Sequence, residues 1–230
     1  MARSRRNYLP ENPYHVVQRG VNKSRTFFEP DDYDFYLRLW AKFSDQSNLS
    51  VHAYCLMPNH IHFLVTPHDE NAISVTSRQV GSRYAATINK KYHRTGTLWE
   101  GRHWSSLIQS EHYLLRCYRY IELNPVRASI CQNPANYKWS SFSLNSKPAS
   151  SWITPHQSYL DLGKNPKLRA SSYRTFVNQG ISSEETSRIT RHFFSNSPTA
   201  EESFIANLEN DNQIRLRRSK RGRPAKRKLQ

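Results

Sequence analysis

Residues 50–67, SVHAYCLMPNHIHFLVTP, read as two apolar strands joined by a tight turn at Met57-Pro58-Asn59. Successive side chains of a strand point to opposite faces, so His60 and His62 stand side by side on one face of the second strand. Two imidazoles at this spacing on a rigid strand can bind one metal cation. The other interpretation of so short a pattern is a pair of structural histidines that pack or hydrogen-bond.

The composition indicates a nucleic-acid partner. The chain has 230 residues and a formal net charge of +16, and a strongly basic balance favours a polyanion. The length fits one sizeable domain plus an extension. No apolar run reaches transmembrane length and the N-terminus lacks an apolar signal core, so we expect a cytoplasmic protein with no membrane partner. The cysteines are scattered without C-x-x-C spacing, which favours a reducing compartment and argues against a disulfide framework: Cys55, Cys117 and Cys131.

The pattern along the chain predicts one main domain followed by smaller pieces. Apolar periodicity and turn residues predict, in order, a strand over 14–18, a helix from Pro30, the hairpin, a helix over 72–92, a strand over 98–108 kinked at Gly101, and a helix from Ser110 to about Asn124. We predict that residues 1–142 form the domain, 143–214 a linker and helical appendage, and 215–230 a basic tail.

The last of these helices carries a candidate nucleophile. Its predicted core stripe is Leu114, Cys117, Tyr118 and Ile121. Each helical residue turns about 100°, so Tyr120 is predicted to point away from Tyr118 and from the core, with Arg116 and Asn124 one turn to either side. An ordinary amphipathic helix with a surface tyrosine would show the same pattern.

Arginines in several parts of the chain are candidate DNA contacts. Those near the N-terminus form either a phosphate-contacting arm or a frayed end. Arg221-Gly222-Arg223-Pro224 resembles the core of an AT-hook, which lies in the minor groove, although a basic tail that binds any polyanion is the simpler interpretation. The candidates are Arg3, Arg5, Arg6, Arg78, Arg83, Arg102, Arg116, Arg221 and Arg223.

The candidate residues could form one reactive site if the helix that carries Tyr120 packs beside the hairpin. Tyr120 and the carboxamide oxygen of Asn124 would then meet His60 and His62. A phenol with its usual pKa of about 10 is a poor nucleophile, but it can attack a phosphodiester that a cation has polarised. Oxygen ligands beside two imidazoles suit Mg²⁺ or Mn²⁺.

Four segments in the same order resemble one known family. MPNHIHFLV and YIELNPVR, together with YHVVQRG and LWEGR, are similar to the single-tyrosine HUH transposases and, within these, to the REP-associated tyrosine transposases. The similarity covers about residues 7–142. It implies a ferredoxin-like α/β domain with a central antiparallel sheet and flanking helices. It also implies that His60 and His62 bind the metal with Asn124 as third ligand, and that Tyr120 forms a 5′-phosphotyrosine link and leaves a 3′-OH.

The resemblance also implies partners and a setting. Its members act in bacteria on single-stranded DNA beside short hairpins, often repetitive extragenic palindromes, and read a flanking guide sequence. The chain would then be associated with the nucleoid, as a monomer or a homodimer. Two alternatives remain open: a domesticated hairpin-binding protein that has lost catalysis, and a metal-dependent hydrolase that cleaves without a covalent intermediate.

Overall fold

A computed structural model describes Arg6, residues 8–147 and residues 151–216, without the side chains of residues 111 and 112. No helix in these residues combines the length and the apolar character that crossing a membrane requires. The strands are β1 (Tyr14–Arg19), β2 (Leu49–Met57), β3 (His60–Pro67) and β4 (Trp104–Leu107). The α-helices in this part of the chain are α1 (Pro30–Gln46), α2 (Ala72–Lys91), α3 (Ser110–Glu122), α4 (Asn124–Arg127), α5 (Phe142–Asn145), α6 (Gln157–Leu160), α7 (Pro166–Asn178), α8 (Ser183–Ser195) and α9 (Glu202–Asn212).

The four strands form one antiparallel sheet in the order β2-β3-β1-β4. The chain runs β1-α1-β2-β3-α2-β4 through this sheet, which is the ferredoxin-like arrangement. The predicted fold class, a mixed α/β domain with a central antiparallel sheet and flanking helices, is therefore confirmed.

The hairpin of β2 and β3 is anchored at its tip. The strands pair from Leu49 opposite Pro67 to Met57 opposite His60, so the chain turns at Pro58 and Asn59 as predicted. The backbone carbonyls of these two turn residues accept hydrogen bonds of 2.8 Å from the Thr26 and Gly20 N–H groups, respectively. The turn is thus tied to the segment that follows β1, and His60 begins β3 from a fixed position.

The two faces of the sheet have different partners. Ile61, Phe63 and Val65 of β3 belong to the core that α1 and α2 cover, where Trp40 stacks on Phe63 with ring centroids 3.8 Å apart. Leu64 belongs to the opposite core, which contains the buried residues of α3. The alternation along β3 therefore directs the histidines toward α3.

The strand predicted over residues 98–108 is shorter in the structure. Only Trp104–Leu107 form β4, and Trp99 keeps a single bridge to Gly20. Trp99 is buried in the core beside Tyr36 and Tyr84, at ring-centroid distances of 5.9 and 6.0 Å. Because the Trp99 side chain packs into the core beneath the helices, the segment around it departs from the sheet. Strand pairing as β4 therefore begins only at Trp104.

The helices after residue 142 pack on the domain. Helix α6 contacts α3, and α8 contacts α3, β1 and β4. The segment after α8 covers the outer edge of β4: Thr199 bridges Ile108, and Ser106 Oγ donates a 2.6 Å hydrogen bond to the Ser197 carbonyl. The division of the chain at residues 142 and 214 stays a prediction.

Candidate active site

His60 and His62 share one face of β3, as the alternation predicted. Their ring centroids lie 5.0 Å apart, with the ring planes at 82°. His60 is partly exposed at the start of the strand, and His62 is buried. Asn59 Oδ1 lies 2.6 Å from His60 Nδ1, so Nε2 is the nitrogen of His60 that can bind a ligand.

His62 is held by a third histidine, which comes from β1. His15 Nε2 lies 2.9 Å from His62 Nδ1, and the two rings stack with centroids 5.1 Å apart. His15 is completely buried, and its Nδ1 has no hydrogen-bond partner among the described residues. This contact engages Nδ1 of His62 and leaves its Nε2 as the nitrogen that can bind a ligand.

The environment keeps all three imidazoles neutral at pH 7. Burial lowers the pKa of His15 to about 3 and that of His60 to about 4, and nearby Arg127 favours the neutral form of both. Burial, followed by the neighbouring His60 and His15, holds the pKa of His62 well below its ordinary value of 6.5. Neutral imidazoles have a ring lone pair that can bind a cation.

Tyr120 of α3 lies beside these histidines. Its ring centroid is 5.8 Å from that of His62 and 5.7 Å from that of His15. Its hydroxyl lies 3.2 Å from Thr190 Oγ1, on α8. Helix α3 therefore packs beside the hairpin, and the structure brings Tyr120 to the histidine pair although they are about sixty residues apart in sequence.

The prediction that Tyr120 points away from the core is wrong. Tyr118 is buried as predicted, but Tyr120 is also buried, with 3% of its surface exposed. Helix α8 covers it, and Phe193 packs against both Tyr120 and His62 at ring-centroid distances of 6.5 and 5.9 Å. The periodicity of α3 predicts which residues share a face but not that a later helix covers the second face. The Tyr120 side chain is therefore largely covered in this structure.

Arg127 lies over the phenol. Its guanidinium carbon is 4.1 Å from the centroid of the Tyr120 ring. Burial raises the pKa of Tyr120, while Arg127 and the hydrogen bond to Thr190 oppose the rise. Arg127 therefore favours the ionised form of a phenol that burial keeps protonated.

The structure does not direct Asn124 at the histidines. Its Nδ2 donates hydrogen bonds of 3.1 Å to the backbone carbonyls of Tyr120 and Ile121, and its Oδ1 accepts one of 2.6 Å from Arg127 Nη2. The family resemblance implied that Oδ1 of Asn124 binds a metal. In the structure this oxygen accepts a hydrogen bond from the Arg127 guanidinium instead.

Two side chains, His60 and His62, could each supply one ligand to a single cation. Within the described ranges, no group of three His, Cys, Asp or Glu side chains is arranged to hold a metal ion. The two imidazoles of β3, each with Nδ1 engaged and Nε2 available, have the arrangement typical of metal-binding histidines. Oxygen ligands from substrate or solvent would complete such a site.

Three of the arginines predicted to contact DNA line one cleft. Arg6, Arg78 and Arg102 surround an opening of about 670 Å³ between α2 and residues 96–103. They come from the N-terminal segment, from α2 and from the loop before β4. The fold therefore gathers charges that lie far apart in the sequence.

Arg83 and Arg116, the other predicted arginines among the described residues, do not line this cleft. The Arg83 guanidinium lies 4.7 Å from the ring centroid of Phe43, and Arg116 Nε lies 3.7 Å from Glu185 Oε1. The remaining predictions fall outside the described residues: Arg3, Arg5, Arg221 and Arg223.

Four residues of the site were not predicted from the sequence. His15 and Arg127 lie within YHVVQRG and YIELNPVR, two of the segments that carry the family resemblance, so the motifs contained a signal for both. Thr190 and Phe193 lie in the helical appendage, where no local pattern distinguishes residues that face Tyr120.

Comparison with known proteins places this geometry in a family context. A family model described as "Transposase IS200 like" matches residues 10–124, a stretch that contains the histidine pair, Tyr120 and Asn124. A "Putative REP-associated tyrosine transposase" of Haemophilus influenzae is 25% identical over 127 residues, which cover 51% of this chain and 68% of that protein. A solved structure described as "Structure of the REP associates tyrosine transposase bound to a REP hairpin" is 16% identical, with a TM-score of 0.55 over 69% of this chain and 93% of that chain. At that identity the likeness concerns the fold alone.

Proposed function

This chain belongs to the IS200-like transposase family, and from that premise we propose that it cuts and rejoins single-stranded DNA beside hairpins through a covalent bond to Tyr120. The observation that carries the proposal is the contact between Tyr120 and His62, whose ring centroids lie 5.8 Å apart. The nucleophile and the ligand pair of the proposed reaction therefore meet in one place.

The reaction exchanges one phosphoester bond for another. Tyr120 Oη attacks the scissile phosphorus and gives up its proton, the bond from phosphorus to the 3′-oxygen breaks, and that oxygen takes up a proton as it leaves. The 5′-phosphate stays on the tyrosine. In the joining step a 3′-hydroxyl loses its proton and attacks this phosphotyrosine, the bond from phosphorus to Tyr120 Oη breaks, and the released phenol takes up a proton. No water is consumed, and the bond energy is conserved.

The chain would hold a cation through Nε2 of His60 and His62. When bound, Mg²⁺ or Mn²⁺ would neutralise a non-bridging oxygen of the scissile phosphate. Asn124 would become a third ligand after its Oδ1 releases Arg127. Its present hydrogen bond holds that oxygen 2.6 Å from a guanidinium nitrogen, so this ligand requires a rearrangement at the end of α3.

Arg127 would act on the nucleophile and on the phosphate. A guanidinium over the phenol ring stabilises the negative charge that develops when Tyr120 loses its proton. Once a phosphate is present, the same group can donate two parallel hydrogen bonds to its oxygens. Release from Asn124 would make this second contact possible.

The proposed DNA partner is a hairpin with an unpaired flank. One solved structure of the same fold is of a protein bound to a REP hairpin, and the net charge of +16 favours binding to a phosphate backbone. We therefore propose REP-like palindromes with a single-stranded flanking sequence as the substrate class, and DNA transposition or recombination as the reaction class.

A catalytically silent hairpin-binding protein is the second candidate function. The burial of Tyr120 beneath α8 favours it, because a phenol that stays covered cannot react with DNA. The two candidates agree on binding and differ only in whether a covalent adduct forms.

A denaturing gel distinguishes them. Wild-type protein is incubated with end-labelled hairpin DNA that has single-stranded flanks, with Mg²⁺, Mn²⁺ or a chelator. Tyr120→Phe is the test variant, and Tyr118→Phe is its matched control because Tyr118 is a buried tyrosine two residues away whose ring packs against Tyr159 and Tyr173. We expect a metal-dependent adduct with wild type and Tyr118→Phe and none with Tyr120→Phe.

The other results assign the chain differently. Binding without an adduct across several flanking sequences would support the silent binder. Cleavage that survives in Tyr120→Phe would instead indicate a hydrolase. His60→Ala and His62→Ala are expected to lose the adduct while keeping most hairpin binding, which separates a metal role from general unfolding.

A further inference from the structure

A cleft of about 670 Å³ opens between α2 and residues 96–103. It lies on the face of the sheet that α1 and α2 cover, opposite Tyr120. Its size is in the range of sites that bind small molecules or single nucleotides.

The wall of the cleft is partly apolar. Leu98 and Trp99 line it, and the indole Nε1–H of Trp99 donates a 3.2 Å hydrogen bond to the Gly81 carbonyl on α2. Gly81 has no side chain, and a Cβ there would lie 3.6 Å from Trp99 Nε1. Because Gly81 has no side chain, no atoms project from α2 at this point and the cleft stays open. Such a wall suits the apolar face of a base.

Two polar side chains of the cleft have hydrogen-bonding capacity left. Ser77 Oγ is buried and has no hydrogen-bond partner among the described residues. Gln18 donates from Nε2 to the Gly101 carbonyl, and its Oε1 lies 3.9 Å from the position that a Gly81 Cβ would take. A buried hydroxyl without a partner is costly unless a ligand satisfies it. The edge of a base supplies such donors and acceptors.

The rim of the cleft is cationic. Arg78 and Arg102 are exposed, and Arg6 is held in place by a hydrogen bond from Nη1 to the His103 carbonyl. The side chain of Arg78 forms no hydrogen bond or ion pair with any other described residue. None of the described residues that line the cleft is acidic. A rim of this charge suits a negatively charged phosphate.

The cleft is adjacent to the proposed cleavage site through β1. Gln18 faces the cleft, while the next residue, Arg19, pairs in register with His60. Arg19 also lies over Trp104, with its guanidinium carbon 5.4 Å from the ring centroid. One strand of DNA could pass around this end of the sheet and touch both places.

We propose that this cleft binds an unpaired nucleotide of the single-stranded segment beside the hairpin. The base enters between α2 and residues 96–103, and its phosphates contact Arg78 and Arg102. A paired base cannot enter without first leaving its stack, which costs a few kcal/mol, so the cleft selects unpaired DNA. This inference rests on the proposed function for the identity of the polymer.

Photocross-linking tests the cleft without any cleavage step. Hairpins carry 4-thiothymidine at each unpaired flanking position in turn and are bound to full-length protein in chelator. After irradiation, the cross-linked peptide is identified by mass spectrometry. We expect at least one flanking position to cross-link within residues 74–85 or 96–103, and cross-links elsewhere only would overturn the proposal.

A charge-reversal pair provides the quantitative test. Arg78→Glu and Arg83→Glu change the same exposed residue type on the same helix by the same charge, but only Arg78 lines the cleft. We expect Arg78→Glu to weaken binding of a flanked hairpin about tenfold more than Arg83→Glu, which is the size of effect expected when one base is no longer bound. The two variants should bind a blunt hairpin equally. Equal weakening on the flanked hairpin would overturn the proposal.

The two proposals fail separately. Cross-links in the cleft without a Tyr120 adduct would support the nucleotide site and argue against catalysis. An adduct without cross-links in the cleft would support the proposed transposase function and rule out the nucleotide site.

Discussion

At the scale of single residues, His15 determines how the histidine pair is held. A metal-binding histidine usually has its second ring nitrogen engaged by a carboxylate, a carbonyl or water, which fixes the orientation of the ring. For His62 that partner is the imidazole of His15, at 2.9 Å. In the proposed site His15 would therefore be a positioning residue, because its nitrogen contacts His62, a proposed metal ligand, and not the substrate.

We expect His15→Phe to weaken Mn²⁺ binding by roughly 10- to 100-fold, the usual cost of losing such a partner. Phenylalanine keeps an aromatic ring beside His62 and Tyr120 but removes the nitrogen that His62 contacts. Isothermal titration with Mn²⁺, in the absence of DNA, measures the change in affinity directly.

His52→Phe is the matched control for this measurement. His52 is also a buried histidine, with hydrogen-bond contacts to the Thr154 carbonyl and to Thr66 Oγ1. It should lose stability without losing Mn²⁺ affinity. An unchanged affinity in His15→Phe, or an equal decrease in both variants, would show that His15 is only part of the core.

At the scale of elements, Glu122 joins α3 to the segments packed around it. Its carboxylate is completely buried and accepts hydrogen bonds of 2.6 Å from Ser141 Oγ, 2.8 Å from Asn145 Nδ2 and 2.6 Å from the Tyr173 hydroxyl. These donors come from the residue before α5, from α5 and from α7. One side chain thus ties α3 to α5 and α7.

Glu122 makes the stability of the fold depend on pH. Burial raises its pKa to about 7 from an ordinary value of 4.5, although its three hydrogen bonds oppose the rise. The folded chain therefore binds this proton more tightly than the unfolded chain. Its contribution to the free energy of unfolding is fully present below pH 4.5 and is lost as the pH rises through 7.

Urea unfolding of wild type and Glu122→Gln at pH 5 and pH 8 measures this contribution. Glutamine does not titrate, so the variant controls for all the other groups. Relative to it, wild type should lose on the order of 2 kcal/mol between the two pH values. A stability difference that stays constant with pH would contradict the raised pKa of Glu122.

Helix α8 explains why local periodicity described α3 incompletely. Tyr118 and Tyr120 lie on different faces of α3, as the 100° turn per residue predicted, yet both are buried. The second face is covered by Thr190 and Phe193, which lie about seventy residues later in the chain. Tyr120 is therefore a core residue and not a surface tyrosine.

At the scale of the whole molecule, we expect the net positive charge to govern the proposed binding to DNA. Residues 215–228 contain only basic charge and account for more than half of the net excess of +16. Each phosphate that a protein neutralises releases counterions, so binding weakens as the salt concentration rises.

Deleting residues 215–230 should weaken hairpin binding and flatten its salt dependence. The slope of log affinity against log salt should fall by about 0.9 for each duplex phosphate that the shortened chain no longer neutralises. Filter binding over a series of salt concentrations measures it. A slope that does not change on deletion would show that the tail does not touch DNA.

A tail of the same composition in shuffled order separates the two interpretations of this segment. If charge alone acts, the shuffled tail should restore both affinity and slope. If Arg221-Gly222-Arg223-Pro224 reads the minor groove, the shuffled tail should restore the slope but not a preference for A·T-rich DNA.

The amino-acid sequence by itself determined the local features of the site. Alternation along β3 placed His60 and His62 on one face, and the helical turn placed Tyr120 opposite Tyr118, because both periods follow from the backbone geometry of one segment. The hairpin turn and the order of the main strands and helices were predicted for the same reason. Burial of Trp99 shortened β4, since a side chain that packs against helices competed with strand pairing.

Only the tertiary structure decided which segments meet. It put His15 against His62, covered Tyr120 with α8, turned the Asn124 oxygen toward Arg127, and gathered Arg6, Arg78 and Arg102 around one cleft. These contacts join residues on different elements, or a helix end to the turn that follows it. They depend on the packing of the whole chain and on competition between partners, which no local period encodes.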